Sequence, residues 1–279
     1  MIEAVFQLLF RFEGIITEAQ IRQALGISSE QDEDGLCELL KSDKRFIDCS
    51  NQTWKCAPLE SLTEDMPIRD IDFVITDIET TGSIRGKDRI IEIAAIKVRN
   101  GEILSTFESM VNPDITISRQ ISRLTKISNS TVKDAPYIEE VLPQYVDFVG
   151  NGIFVAHNSL FDFPFINSEI RRLQIDELKY QADICTYRIA KKLLPHVRAR
   201  GISGLSSYFD YHMENRHRAM PDVLAAHFFL NKFLDTLDES KIDTLHKLVN
   251  FQKDKLSKKE LLKRMKRQRK KNFMTSAIA

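Results

Sequence analysis

Asp77-Ile78-Glu79-Thr80-Thr81-Gly82 closes an apolar run that begins at Ile71 and is typical of a buried β-strand. Side chains alternate faces along a strand, so Asp77 and Glu79 point the same way where it ends. Two carboxylates at such a short distance repel each other. A divalent cation bound between them removes that repulsion. The hexapeptide is therefore a candidate Mg²⁺ or Mn²⁺ site. A solvated acidic turn is the simpler interpretation of this stretch taken alone.

Two later motifs have the same placement, at the end of a strand or the start of a helix. His157-Asn158-Ser159-Leu160-Phe161-Asp162 follows the short apolar run 153–156 and opens a helix predicted to reach about Leu173. His217-Arg218-Ala219-Met220-Pro221-Asp222 opens a helix predicted over 223–234. Because all three motifs end or begin buried elements, we expect Asp162, His217 and Asp222 to lie near the acidic pair.

In order and spacing the three motifs resemble those of the DEDDh group of 3′-to-5′ exonucleases, over about residues 71–234. Residues 107–124, 132–136 and 140–143 look most like the epsilon-type proofreading exonuclease of bacterial DNA polymerase III. The resemblance implies an RNase H-like α/β fold with a central mixed five-stranded sheet. It also implies two divalent metal ions, Mg²⁺ or Mn²⁺, and release of nucleoside 5′-monophosphates.

The same resemblance assigns roles to single residues. The implied metal ligands are Asp77, Glu79, Asp162 and Asp222. His217 is the implied general base, and an imidazole suits that role because its ordinary pKa lies near neutral pH. The residues implied to hold the terminal nucleotide are Thr80, Thr81, Gly82, Leu124 and Phe161. For Leu124 and Phe161, ordinary core positions are an equally good interpretation. His157 is predicted to be a structural hydrogen-bonding group.

The chain is predicted to have three parts. Residues 1–66 carry three helical patterns and a hairpin, which resemble a winged helix, and residues 67–238 form the exonuclease domain. Residues 239–279 form a basic helical or disordered extension. The first part holds six Lys or Arg against thirteen Asp or Glu. This balance favours an interaction module over a DNA-binding one, because nucleic-acid phosphates would be repelled.

The formal net charge of zero hides an asymmetry. Residues 253–271 contain eleven Lys or Arg and two acids, a net charge of +9 that balances −9 elsewhere. Because the expected substrate is a polyanion, phosphate contact is favoured for this segment over a solvated basic helix.

The four cysteines show no metal-binding or disulfide spacing, which fits a reducing cytosol. Residues 1–12 lack a basic leader, and no stretch approaches membrane-spanning length. We therefore expect a cytoplasmic protein without a membrane partner. Its predicted substrate is single-stranded or frayed DNA, and a DNA polymerase is a candidate partner. RNA trimming and a non-catalytic nucleic-acid-binding module stay as alternatives.

Overall fold

The computed structural model describes residues 5, 15–26, 33–43, 46–56, 66–175, 178, 183–213 and 217–253. Within these residues the chain separates into two compact units, Met1–Met66 and Pro67–Ala279. The predicted division into three parts stays a prediction.

The N-terminal unit contains a small antiparallel sheet in the order β1-β3-β2. Its strands are β1 (Ile16–Thr17), β2 (Phe46–Asp48) and β3 (Thr53–Cys56), and its helices are α1 (Glu18–Leu25) and α2 (Glu33–Ser42). The predicted hairpin is formed by β2 and β3, and Gly26 ends α1 with φ +67°. The first of the three predicted helical patterns lies outside the described residues apart from Val5. The winged-helix comparison stays a prediction.

The larger unit is a mixed α/β fold. Its strands are β4 (Phe73–Thr80), β5 (Ile90–Arg99), β6 (Glu102–Met110), β7 (Ile153–Ala156) and β8 (Asp183–Cys185). Its α-helices are α3 (Arg119–Thr125), α4 (Asn129–Val132), α5 (Ile138–Val149), α6 (Ser159–Leu173), α7 (Thr186–Leu193), α8 (Ile202–Phe209), α9 (Ala219–Asp238) and α10 (Leu245–Lys253).

The five strands form one sheet in the order β6-β5-β4-β7-β8. The β4–β5 and β5–β6 pairs are antiparallel, and β4–β7 and β7–β8 are parallel. β5 and β6 are joined by a hairpin turn, where Asn100 and Gly101 both have positive φ, +50° and +82°. Consecutive positive φ values match the right-handed twist of the flanking strands, and Asn-Gly adopts them at little cost. The predicted mixed five-stranded sheet is confirmed.

One buried cluster of the core lies against one face of this sheet. Val74 and Ile93 of the sheet pack with Tyr145 of α5 and Phe165 of α6, and all four are fully buried. Gly152 allows β7 to begin next to β4, since an added Cβ would lie 2.4 Å from Val74 Cγ2. The two parallel strands therefore begin side by side, and β7 ends beside the part of β4 that precedes Asp77, which brings the segment after β7 close to Asp77 and Glu79.

Part of the predicted C-terminal extension packs on the sheet edge. Gln252 of α10 accepts a hydrogen bond from Cys185 N (2.8 Å) and donates one to the carbonyl of Asp183 (2.6 Å), so it satisfies backbone groups of the edge strand β8. The basic residues from 254 onward lie outside the described residues. None of the helices in the described part of the chain combines the length and apolarity needed to span a membrane.

Candidate active site

The first two carboxylates of the site lie on the central strand β4. Asp77 and Glu79 are partly buried near the end of β4, with the buried Ile78 between them. Asp162 lies in the first turn of α6, the helix that follows the parallel strand β7, and is only 5% exposed. The backbone N–H of Ile78 donates to its carboxylate. Asp162 is therefore held beside the acidic pair, as predicted from the order of strand and helix.

His217 and Asp222 come from the start of α9. His217 precedes the helix with φ +63°, and Asp222 lies in the first turn, where its N–H donates to Arg218 O (3.3 Å). Pro221 fits here because the first N–H groups of a helix have no intrahelical acceptor. The helix begins four residues earlier than predicted, so Asp222 is a helical residue and its side chain is fixed by the helix.

The three segments converge on one point. One potential ligand atom from each of Glu79, His217 and Asp222 lies within 4.8 Å of the others. Asp77 and Asp162 contribute negative charge to the same region, because each repels neighbouring carboxylates of this cluster. All five predicted positions are thus assembled by the fold, and we refer to them as the acidic cluster.

The electrostatics of the acidic cluster are unfavourable without a cation. Burial, together with repulsion from Asp162 and Asp222, raises the pKa of Asp77 well above its ordinary value. Burial and repulsion from Asp222 and Glu92 raise the pKa of Glu79 to about 8. Burial raises the pKa of Asp162 to about 7, although backbone N–H groups oppose the change. Bound positive charge would reverse these shifts.

The donor set fits divalent cations. Carboxylate oxygens are the hard ligands preferred by Mg²⁺ and Mn²⁺, and one imidazole nitrogen is compatible with Mn²⁺. Glu79 and Asp222 offer oxygens close together, with Asp77 and Asp162 beside them. The chemistry of the side chains therefore matches the predicted metal ligands.

The hydroxyl groups of Thr80 and Thr81 stabilise the segment at the end of β4 through hydrogen bonds to nearby backbone groups. Thr80 Oγ1 donates to the carbonyl of Gly82 (2.6 Å), and Thr81 Oγ1 accepts from Arg89 N (3.0 Å). An added Cβ at Gly82 would lie 2.5 Å from Asp88 Oδ2. A side chain at Gly82 would displace the Asp88 carboxylate, which accepts a hydrogen bond from Ile84 N (2.7 Å) in this loop.

Leu124 and Phe161 have different environments. Leu124 is 47% exposed and lines an open surface depression with Arg119, Gln120 and Arg123. It is not a core residue. Phe161 is partly buried and packs on the core beside Phe165, with ring centroids 5.6 Å apart.

His157 is buried and has two partners. Its Nδ1 lies 2.9 Å from Thr186 Oγ1, and its Nε2 lies 3.0 Å from the carbonyl of Arg200, to which it donates. Burial lowers its pKa to about 4, so the ring is neutral at pH 7. The contacts support the predicted structural role.

Two charged residues beside the acidic cluster were missing from the sequence prediction. Glu92 lies on β5 directly opposite Glu79, and Arg218 follows His217. Arg218 Nη2 lies 2.7 Å from Glu92 Oε1, and the Glu92 side chain is 1% exposed. A signal was available, because Glu92 interrupts the apolar run Ile90–Ile96 and charged side chains are rarely buried without a partner.

A mixed sheet that brings acidic residues and a histidine together from separate strand and helix ends is typical of nucleases with an RNase H-like fold. A family model described as Exonuclease (RNase_T) matches residues 74–227. This match includes more than half of the chain and all five residues of the acidic cluster. The chain belongs to this exonuclease family, which confirms the resemblance found in the sequence.

Solved structures show the same fold. Exonuclease X in complex with 5′ overhanging duplex DNA is 27% identical, with a TM-score of 0.52, over 64% of this chain and 99% of that chain. Exonuclease I of E. coli in complex with a dT13 oligonucleotide is 16% identical, with a TM-score of 0.55, over 61% of this chain and 43% of that one. The predicted RNase H-like exonuclease fold is confirmed.

The curated relatives include much longer proteins. DNA polymerase III PolC-type of Caldanaerobacter subterraneus subsp. tengcongensis is 38% identical over 177 residues, which are 63% of this chain and 12% of that protein. The PolC-type polymerase of Staphylococcus aureus is 34% identical over 207 residues, 74% of this chain and 14% of that protein. The chain thus spans about an eighth of the length of these relatives.

Proposed function

We propose that this protein is a divalent-metal-dependent 3′-to-5′ exonuclease of the DEDDh type. It removes nucleoside 5′-monophosphates from the 3′ end of single-stranded or frayed DNA. The observation that carries the proposal is the convergence of Glu79, His217 and Asp222 within 4.8 Å, with Asp77 and Asp162 beside them. Three segments far apart in the sequence supply this set.

Each residue of the acidic cluster has a chemical task in this proposal. Asp77, Glu79, Asp162 and Asp222 hold two ions, Mg²⁺ or Mn²⁺. When bound, the ions supply positive charge to the oxygens that become negative during phosphodiester displacement. His217 takes the proton from the attacking water through an imidazole nitrogen. The buried Asp162 and Asp222 are fixed by the first turns of their helices, so they need little rearrangement when the substrate binds.

The terminal nucleotide is held by the loop after β4. The backbone of Thr80, Thr81 and Gly82 contacts the nucleotide. Leu124 and Phe161 contact its base. The exposure of Leu124 supports this role, since an apolar surface that is open to solvent can stack on any base. Arg119 and Arg123 in the same depression suit contacts with phosphates of the strand.

The likeness to PolC-type polymerases supports proofreading or repair, with a DNA polymerase as the partner. The N-terminal unit, which carries the exposed Glu38 on α2, then acts as a protein-interaction module. The basic segment 253–271 contacts substrate phosphates. A cytoplasmic location fits each of these roles.

The proposal is tested with 3′-labelled single-stranded DNA and RNA of matched sequence. Each is incubated with Mg²⁺, with Mn²⁺ or with EDTA, and released monophosphates are measured. Asp77→Asn should lose metal-dependent release, and His217→Ala should lower kcat about 10²- to 10⁴-fold, the usual contribution of a general base. Asp72→Asn, immediately before the start of the same strand, is the matched control and should remain active.

The outcomes separate the alternatives. Metal-dependent release from DNA that Asp77→Asn abolishes supports the proposal. A strong preference for RNA would move the protein to RNA trimming. If neither polymer is cut with either metal, the catalytic proposal fails and a binding module takes its place.

A further inference from the structure

The start of α9 is tied to the sheet through one buried side chain. Glu92 Oε1 accepts hydrogen bonds from Arg218 Nε (3.0 Å) and Nη2 (2.7 Å). Glu92 Oε2 accepts a hydrogen bond from the backbone N–H of Ala219 (3.0 Å) and lies 3.1 Å from Arg218 Nε. Both carboxylate oxygens of Glu92 are therefore used, and all their partners belong to the segment that follows His217.

Glu92 also takes the place of a helix cap. Arg218 precedes the first helical residue of α9 and makes no side-chain cap of its own. The first N–H groups of a helix need acceptors, and its N-terminus favours negative charge. The Glu92 carboxylate satisfies Ala219 N and places a negative charge at this N-terminus from another element. It sets where α9 begins, and with it the position of Asp222 one turn further on.

The position of Glu92 in the sheet connects this contact to the acidic cluster. Glu92 on β5 is the register partner of Glu79 on β4, and the ladder shifts just after this pair. Facing residues of an antiparallel pair have Cβ atoms about 5 Å apart. The ion pair with Arg218 therefore lies one strand away from Glu79, and Arg218 is covalently next to His217.

We propose that the Glu92–Arg218 ion pair is a positioning device that holds His217 and Asp222 in register with Glu79. This inference rests on the proposed function and adds two residues to it. Neither residue is needed as a metal ligand. Their contribution is to fix the distance between the β4 side and the α9 side of the acidic cluster, because the same carboxylate binds both the residue after His217 and the start of the helix.

The Glu92–Arg218 ion pair is next to a residue, His217, whose backbone has a left-handed conformation. A non-glycine residue at φ +63° is held there by its surroundings and not by its own preference. The adjacent Arg218 makes three contacts to the buried Glu92 within 3.1 Å. Loss of these contacts frees the segment before α9, and His217 then samples conformations in which its imidazole is no longer near Glu79 and Asp222.

Arg218→Met, Arg218→Lys and Glu92→Gln test the inference. Arg99→Met is the matched control, since Arg99 lies on the same strand as Glu92 and makes a similar two-bond ion pair with Asp72 (2.6 and 2.9 Å) at the other end of β4 and β5. Activity is measured on a single-stranded oligonucleotide and on the p-nitrophenyl ester of thymidine 5′-monophosphate. Mn²⁺ affinity is measured by calorimetry without substrate, and circular dichroism verifies folding.

The expected result is that Arg218→Met and Glu92→Gln lower kcat about 10- to 100-fold on both substrates and weaken Mn²⁺ binding about 10-fold, as is common for outer partners of metal ligands. The KM for the oligonucleotide changes less than about twofold. Arg218→Lys keeps the charge but not the paired geometry, so it recovers part of the loss. Arg99→Met behaves like the wild type in both measurements.

A folded Arg218→Met protein with wild-type kcat and Mn²⁺ affinity would overturn the inference. If Glu92→Gln does not fold, the two Arg218 variants decide the question, because that side chain is one-third exposed and its loss leaves the sheet intact. If the wild-type protein releases no nucleotide, the proposed function fails, but the Mn²⁺ titration of the same variants still tests whether the ion pair holds the cluster together.

Discussion

Glu79 on β4 lies directly opposite Glu92 on β5, and the register of the ladder shifts between Glu79 and Thr80. Like charges that face each other across two strands destabilise a sheet. Here one of the two carboxylates is neutralised by Arg218, which leaves Glu79 to face Asp222. The bulge then turns the end of β4, a common device for aiming side chains next to an active site.

The metal-free protein should become less stable as the pH rises. The pKa values of Glu79 (about 8) and Asp162 (about 7) in the folded state exceed their ordinary values of roughly 4.3 and 3.9. The folded state therefore binds more protons than the unfolded state between about pH 4 and pH 8, and its stability falls as the pH rises through that range. In EDTA the thermal midpoint should fall by at least about 4 °C from pH 5.5 to 8.5.

Two controls accompany this experiment. Mg²⁺ or Mn²⁺ should reduce the fall, because bound cations stabilise the ionised carboxylates. Asp222→Asn should also reduce it by removing repulsion, whereas Asp235→Asn, an exposed change on the same helix, should not. An unchanged slope in Asp222→Asn would contradict the electrostatic explanation.

His157→Gln should destabilise the protein without a direct effect on catalysis. The change disrupts buried hydrogen bonds to Thr186 and Arg200, at a cost of about 2 kcal/mol in the free energy of unfolding. Because the folded pKa of His157 is about 4, below its unfolded value, the contribution of His157 to stability decreases as the pH falls from about 6.5 towards 4. Urea unfolding at pH 5 and pH 7 measures both effects.

The difference in unfolding free energy between the wild type and His157→Gln should be smaller at pH 5 than at pH 7. His246→Gln, at an exposed position, is the control. If kcat of folded His157→Gln fell as far as that of His217→Ala, His157 would have a role in the reaction and the structural assignment would be wrong.

Tyr145→Phe should cost about 1 to 2 kcal/mol of stability. Tyr145 Oη and Thr76 Oγ1 share a buried hydrogen bond of 2.8 Å beneath the sheet, and removal of one hydroxyl leaves the other without its partner. The double variant Thr76→Val/Tyr145→Phe should cost less than the sum of the two single changes. Additive costs in denaturant unfolding would mean that the hydroxyls do not interact.

Gly82→Ala should lower activity while the protein remains folded. The new methyl group would meet the Asp88 carboxylate at 2.5 Å, and this carboxylate also accepts from Ile84 N (2.7 Å). Asp88 has to move, so the loop that presents Thr80 and Thr81 shifts, and KM for an oligonucleotide should rise more than kcat falls. Gly201→Ala has open space around its Cβ and serves as the control. Equal KM values for the two variants would contradict the prediction.

Much of the larger unit could be predicted from local patterns. The strand over 153–156 and the helix that ends at Leu173 agree with the sequence prediction, because their apolar spacing and flanking residues agree with the fold. Helix α9 begins earlier than its apolar pattern indicates. Ala219, Met220 and Pro221 give no strong periodic signal, and the helix start depends on the distant Glu92 carboxylate.

The sequence by itself determined the family, the order of the three site motifs and the five residues of the acidic cluster. Residue type and spacing are local properties, so they can be taken from the sequence directly. Only the tertiary structure decided that Glu79, His217 and Asp222 lie within 4.8 Å, that Leu124 is exposed, and that Glu92 faces Glu79. These depend on the register of β4 against β5 and on the parallel pairing of β4 with β7. These contacts join residues that are not neighbours in the sequence, and no local pattern specifies them.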